Sequence, residues 1–313
     1  MQDSVSAMVA DVTVNGMNIL MSFVLALGLT FGGVELFYGI GFSGIAAGTV
    51  AAQWTGLIVS LLIVAFKYRK NTMSQLCFSD FKDLFKGSET KRFFVMNANL
   101  FVRSLCFIAI YIGFTIISAR YGDTLLAVFS IMMKLLMIFS YFTDGFAYAG
   151  EALTGRFIGA KDVLGLRQTV KWTFVWSMGI AVIFMAVYHF AGVPMLRLMT
   201  SDPVVVEASR PFLPWLLLMP IVGCAAFTWD GIYIGATASR QLRDSMIWAV
   251  VAFVGVWTLG IFILGQLLKN GTVAPQGYDG LAMHILMMAY FAHLLARTIH
   301  LSLNARKFVM ETI

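Results

Sequence analysis

Polar positions along this chain are few and bunched, and the apolar runs between them are long. Eight stretches reach the roughly 20 largely apolar residues that a helix needs to cross a bilayer. They lie at about 8–30, 40–66, 93–118, 124–153, 170–193, 205–236, 243–268 and 281–304. Short turns separate most of them. One gap is a glycine-rich corner holding Gly32, Gly33, Gly39 and Gly41, and another is a longer polar connector from Lys67 to Arg92. Strands of a membrane barrel would instead alternate over about 10 residues. The pattern therefore predicts an all-α, polytopic membrane protein of eight spans. The connector 67–92 divides a two-helix piece, 1–66, from a six-helix piece, 93–313. Six helices suit the repeat unit of a transporter, whereas two do not suit half of anything symmetric.

Composition agrees with the pattern. The 313 residues are 59% hydrophobic and only 12% charged, against about a quarter charged in soluble proteins, so most of the outside must face lipid. The formal charge of +6 invites a nucleic-acid reading, but the positions of Lys and Arg oppose it. Fifteen of them gather on one side, in 67–92, near Arg156 to Lys171, at Arg240 and Arg243, and at Arg306 and Lys307. Four lie on the other: Arg120, Arg197, Arg210 and Lys269. That asymmetry is a topology signal; it places both termini of an even-span protein in the cytoplasm, in a plasma or inner membrane. The opening "MQDSVSAMVADVTVNG" is no signal peptide, because acids stand where a basic region belongs. Cys77, Cys106 and Cys224 have no metal-ligand or disulfide spacing. There is no P-loop, nucleophile elbow or dinucleotide fingerprint, so an enzyme is not expected, nor a bound cofactor or metal.

Six ionisable side chains fall within or at the edge of the spans: Arg103, Lys134, Asp144, Glu151, Asp230 and Arg297. Each is costly in a bilayer unless it faces a cavity or a partner. At 1.5 Å per residue, Arg103 lies roughly 15 Å into its helix, with Asp144 and Asp230 at similar depth. Two readings follow. Asp144 or Asp230 exchanges a proton or cation in a polar cavity, or Arg103 pairs with one of them and ties helices together. Glu151, with Arg156 close by, reads as a gate or loop-anchoring salt bridge. Lys134 has no evident partner. Arg297 reads as a residue near a helix end that reaches solvent, with His293 and His300 on the same wet face. Asn15, Asn18 and Ser22 give the first span one polar face, suited to cation binding or to hydrogen bonds between helices. Pro211, Pro214 and Pro220 predict a bend in the sixth span. Tyr148, Trp229 and Tyr233 are candidates for an aromatic pocket for organic cations. Gly44 and Gly48 signal close helix packing.

Three segments, "DGFAYAGEALTGRFIGAKD", "FTWDGIYIGATASRQLRDSM" and "GFSGIAAGTVAAQ", together resemble the MATE family of multidrug and toxic compound extrusion transporters, nearest its DinF-like branch. The resemblance implies two six-helix lobes joined by a cytoplasmic loop. On it, 67–92 is that loop, 93–313 the C-lobe and 1–66 the last two helices of the N-lobe, so a truncated chain or a misplaced start is expected. It further implies cation coupling at Asp230 in some branches. Arg103 stands where those branches carry a glutamate. In the DinF-like branch it implies coupling through an asparagine matched by Asn18 and an aspartate replaced here by Ser22. The function implied is secondary efflux of organic cations or amphipathic drugs in exchange for H⁺ or Na⁺. A lipid-linked saccharide flippase and a truncated, non-transporting membrane protein are the alternatives. The partners expected are a small organic substrate and the lipid bilayer, with no nucleic acid.

Overall fold

The computed structural model describes residues 4–31, 34–67, 88–272 and 274–311. The chain forms two compact units, Met1–Thr90 and Lys91–Ile313. Of the polar connector, residues 68–87 lie outside the described residues, while Ser88 to Arg92 are already helical.

The smaller unit is a helical pair, α1 (Ser4–Leu27) and α2 (Phe42–Lys67). Small residues at one spacing let the helices approach. Gly44, Gly48, Ala52 and Gly56 recur every fourth position and are the buried residues of α2. A side chain at Gly48 would stand 2.6 Å from the Ser22 backbone nitrogen. The glycine-rich corner is more ordered than the apolar pattern suggests. β1 (Gly28–Phe31) pairs antiparallel with β2 (Val34–Tyr38), in the register Gly28 to Tyr38 and Leu29 to Phe37. Its signal is present in the sequence as "GLTFGGVELFY", β-formers on either side of Gly32 and Gly33.

The larger unit holds α3 (Ser88–Ala119, entering from the end of the first unit), α4 (Asp123–Gly159), α5 (Val163–Met199), α6 (Pro203–Ser209), α7 (Leu213–Gly235), α8 (Ser239–Lys269) and α9 (Tyr278–Ala305). α4 and α5 run to 37 residues each, well past the apolar stretches 124–153 and 170–193. An apolar run marks only the part of a helix in hydrocarbon; backbone hydrogen bonding carries the helix on until a cap stops it. Here the Asp162 side chain accepts from Gly165 N at 2.9 Å and starts α5, while Gly122, with φ 99°, supplies the turn before α4 that a side chain would strain. Pro211 and Pro214 fall where the sixth span breaks into α6, a 3₁₀ turn at Arg210–Phe212, and α7.

α7 and α9 are the central helices: their spans are 56% and 50% buried, more than any other. α7 meets α4 through Gly231 and Gly235, where added side chains would collide with the backbone carbonyls of Ala147 and Glu151. Eight helices of the described residues are long and apolar enough to cross a membrane.

Candidate functional site

The interior of the larger unit is two apolar clusters with a charged layer between them. The first is built from Ile110, Phe114, Phe139, Met219, Cys224, Tyr290 and Leu294, among others. The second contains Leu166, Trp229, Ile232, Tyr233, Leu242 and Leu301. On α9 the first cluster ends at Leu294 and the second begins at Leu301, with Arg297 in the interval. On α7, Asp230 stands just beyond the first cluster, whose last α7 member is Ala226.

Three helices meet at Asp230. Arg103 Nη2 of α3 and Arg297 Nη2 of α9 each donate to the same oxygen, Asp230 Oδ2, at 2.5 Å. The side chains of Arg297, Asp230 and Arg103 are 2%, 14% and 26% exposed, so burial deepens from α3 toward α9. Asp230 Oδ1, Arg103 Nε and both Nε and Nη1 of Arg297 are buried and have no hydrogen-bond partner among the described residues. The Arg297 guanidinium also lies 5.9 Å from the Phe227 ring centre. A buried ion cluster holds only where geometry and further polar contacts offset desolvation, so this one ties α3, α7 and α9 to a single point.

Beside it is a cavity of about 390 Å³, walled by Arg103, Asp230, Arg297, Asp144, Ser104, Ser140 and the apolar Phe107, Ile108, Phe227 and Met246. Asp144 enters from α4. Ser140 Oγ donates to its Oδ2 at 3.5 Å, a weak contact, and among the described residues no cationic group pairs with it.

Of the two sequence readings for Arg103, the ion pair with Asp230 is the one formed; Asp144 shares the cavity without joining the pair. Arg297 departs from expectation. Instead of reaching solvent, its side chain is enclosed, because α9 continues to Ala305 and a further π turn, Arg306–Met310, leaving Arg297 more than two turns inside. His293 is 1% exposed and packs on Tyr290 with ring centres 4.4 Å apart, so it too is core. Trp229 and Tyr233 do not line the cavity. Their polar atoms turn to α9, Trp229 Nε1 donating to Ser302 Oγ at 2.9 Å and Tyr233 OH to the Leu301 carbonyl at 2.6 Å. Tyr148 is 68% exposed. Glu151 is half-buried and, among the described residues, forms no ion pair, so the expected salt bridge to Arg156 is not made; Arg156 is exposed beside Phe157, 5.8 Å from its ring centre. In the smaller unit, Ser22 Oγ and Thr49 Oγ1 both donate to Asn18 Oδ1, at 3.1 and 3.2 Å, joining α1 to α2. A contact not foreseen from the sequence is Asn99, which donates to Ser239 Oγ at 3.2 Å and accepts from Arg243 Nη1 at 2.9 Å, fastening α3 to α8. Among the described residues, no three or more His, Cys, Asp or Glu side chains gather to hold a metal ion.

Eight membrane-length helices and a charged cavity inside the larger unit define a class, the polytopic helical membrane protein of transporter architecture. The chain belongs to the MatE family, whose model matches residues 100–264, more than half of it. It is 31% identical over 241 residues to the DNA damage-inducible protein F of Escherichia coli (strain K12), over 76% of this chain and 49% of that protein. It is 26% identical over 222 residues to the probable multidrug resistance protein NorM of Photorhabdus laumondii subsp. laumondii, over 70% of this chain and 46% of that one. The chain thus spans about half the length of these curated relatives. A crystal structure of MATE in the bent conformation superposes with a TM-score of 0.72 at 14% identity, covering 99% of this chain and 64% of the other, a likeness of fold.

Proposed function

We propose that this chain serves secondary active efflux: antiport in which inward movement of H⁺ or Na⁺ drives export of organic cations or amphipathic compounds across the inner membrane, both ends of the chain lying in the cytoplasm. The observation that carries the reading is the cavity beside Asp230 and Asp144, a charged chamber between two apolar clusters in a MatE-family fold. MatE proteins are transporters, not enzymes, and ionisable side chains kept within a membrane bundle are candidates for an ion or substrate path. Apolar walls beside carboxylates suit a compound that is part hydrocarbon and part cation. The break at Arg210–Phe212, with Pro220 further along α7, supports a bending motion, since helix-breaking residues let one element pivot while side chains and neighbours re-satisfy the backbone. The cluster on Asp230 would hold α3, α7 and α9 together through it.

The test is export of ethidium from cells stripped of their own efflux pumps. Expression of the chain should lower ethidium accumulation, and either a protonophore or removal of external sodium should abolish the effect, which also identifies the coupling ion. Accumulation equal to that of the empty vector, with the protein present in the membrane, overturns the proposal.

A further inference from the structure

One face of α4 carries polar side chains that, among the described residues, tie it to no other helix. Tyr141, Asp144, Tyr148 and Glu151 follow one another at spacings of three, four and three, which stacks them on a single side of the helix. Tyr141 and Tyr148 are 67% and 68% exposed. Neither carboxylate has an ion-pair partner among the described residues, and the two are about 10 Å apart along the axis. Two unpaired carboxylates on a membrane helix are too costly to turn toward acyl chains, so this face looks onto a polar route or a positively charged occupant. Asp144 is at once a member of this stripe and a wall of the cavity.

We infer that Asp144, and not Asp230, is the carboxylate that receives a monovalent organic cation, with Tyr141, Tyr148 and Glu151 forming its approach. The inference rests on the transport reading above and names the residue at which that site is specific. Asp230 already accepts two guanidiniums on one oxygen, and a third positive charge there would meet Arg103 and Arg297 at close range. Those same guanidiniums also line the cavity and repel a cation toward Asp144. Around the cavity and the stripe, two guanidiniums face three carboxylates, Asp230, Asp144 and Glu151, which leaves a single negative charge for a single positive ligand to neutralise. Lys134, exposed, stands on the same face ten residues from Asp144, about 15 Å away, so the negative end of the stripe is the Asp144–Glu151 end. The tyrosines give the cation's hydrocarbon groups aromatic faces to lie on, and Phe107 and Phe227 continue that surface inside the cavity.

The experiment is carbodiimide labelling of the full chain in membrane vesicles, read by peptide mass spectrometry, with tetraphenylphosphonium as the organic cation. The expected result is an adduct on Asp144, none on Asp230, and loss of the Asp144 adduct when tetraphenylphosphonium is present. Direct binding of tetraphenylphosphonium to purified protein should weaken about tenfold in Asp144→Asn, the equivalent of roughly 1.4 kcal/mol, and recover in Asp144→Glu. Tyr148→Leu should weaken it about threefold. Labelling of Asp230 in preference to Asp144, or an Asp144 adduct that sodium chloride removes and tetraphenylphosphonium does not, overturns the inference. Because labelling and binding need no transport, intact protection of Asp144 in a chain that fails to export ethidium leaves the site standing and refutes only the efflux proposal.

Discussion

Replacing Asp230 by asparagine separates the ion cluster from everything else in the larger unit. The wild-type carboxylate presents one oxygen, Oδ2, to both guanidiniums. Asparagine keeps the size and one acceptor but removes the charge, leaving Arg297, whose side chain is 2% exposed, without a counter-ion. Breaking a buried pair in this way costs about 3–5 kcal/mol. Arg103, a quarter exposed, can turn into the cavity toward Asp144, which places the expected loss at the lower end, about 3 kcal/mol. In a unit of this size each kcal/mol moves the melting midpoint by about 2–4 °C, so a fall of roughly 6–12 °C is expected. Arg103→Gln should do far less. It leaves the Asp230–Arg297 pair intact and removes one partly exposed charge-assisted bond, about 1 kcal/mol after allowance for solvent screening. Replacing both members of the buried pair, Asp230→Leu with Arg297→Met, should recover much of what Asp230→Asn loses, since an apolar pair carries no desolvation penalty. The assay is the loss of the monodisperse peak on heating, by fluorescence-detected gel filtration in detergent. A midpoint for Asp230→Asn equal to wild type, or an Arg103→Gln variant less stable than Asp230→Asn, would refute the view that this cluster holds α3, α7 and α9 together.

Further substitutions probe the packing within each unit. Gly231→Val should open the seam between α7 and α4, because its side chain would press on the Ala147 carbonyl, whereas Gly179→Val, with nothing near its position, should leave the yield of monodisperse protein unchanged. Tyr188→Phe removes a buried donor to the Leu135 carbonyl at 2.6 Å and should lower the melting midpoint by about 2–4 °C, the effect of roughly 1 kcal/mol. In the smaller unit, Gly48→Leu should drive α1 away from α2, seen as loss of the disulfide that Asn18→Cys and Thr49→Cys would otherwise form on oxidation.

The helical plan was legible because apolar length is a direct consequence of bilayer thickness, and each of the eight expected stretches corresponds to a helical span of membrane length, although the first, drawn to 30, overruns the end of α1 at Leu27. Depth arithmetic also worked where both partners sat well inside their spans: Arg103 and Asp230 were expected in one layer and meet at 2.5 Å. It failed for Arg297, because its apolar run gives out near 304 while the helix and its π extension carry on to Met310. The strand pair β1–β2 was missed for a different reason: the first apolar run overruns α1 into β1, the gap after it reads only as a glycine-rich corner, and the mark of the strands is the β-formers that flank Gly32 and Gly33 in sequence. The aromatic candidates divide by a cause invisible in one dimension. Trp229 and Tyr233 have the composition of a pocket wall, but their partners, Ser302 and the Leu301 carbonyl, are about 70 residues away on α9.

Asp230 and Asp144 are the same side chain at nearly the same depth, and what distinguishes them is the company each keeps. Asp230 stands on α7, a central helix, and its two cationic partners come from α3 and α9, so its charge is committed to holding three helices. Asp144 stands on α4, whose Gly-mediated contact with α7 runs through Ala147 and Glu151 and leaves the adjoining face open. Among the described residues its one side-chain hydrogen bond, from Ser140, is intrahelical and at the limit of hydrogen-bond length, so no hydrogen bond of its carboxylate joins α4 to another helix. The consequence is a separation of effects that a single shared site could not give. Asp230→Asn should lower the melting midpoint and transport together, because losing the cluster loosens the walls of the cavity. Asp144→Asn should leave the midpoint within reach of wild type while cation binding and export fall, because no helix contact depends on its charge. If Asp144→Asn instead destabilises the unit as strongly as Asp230→Asn, the two carboxylates form one structural network, and the division of labour between them is wrong.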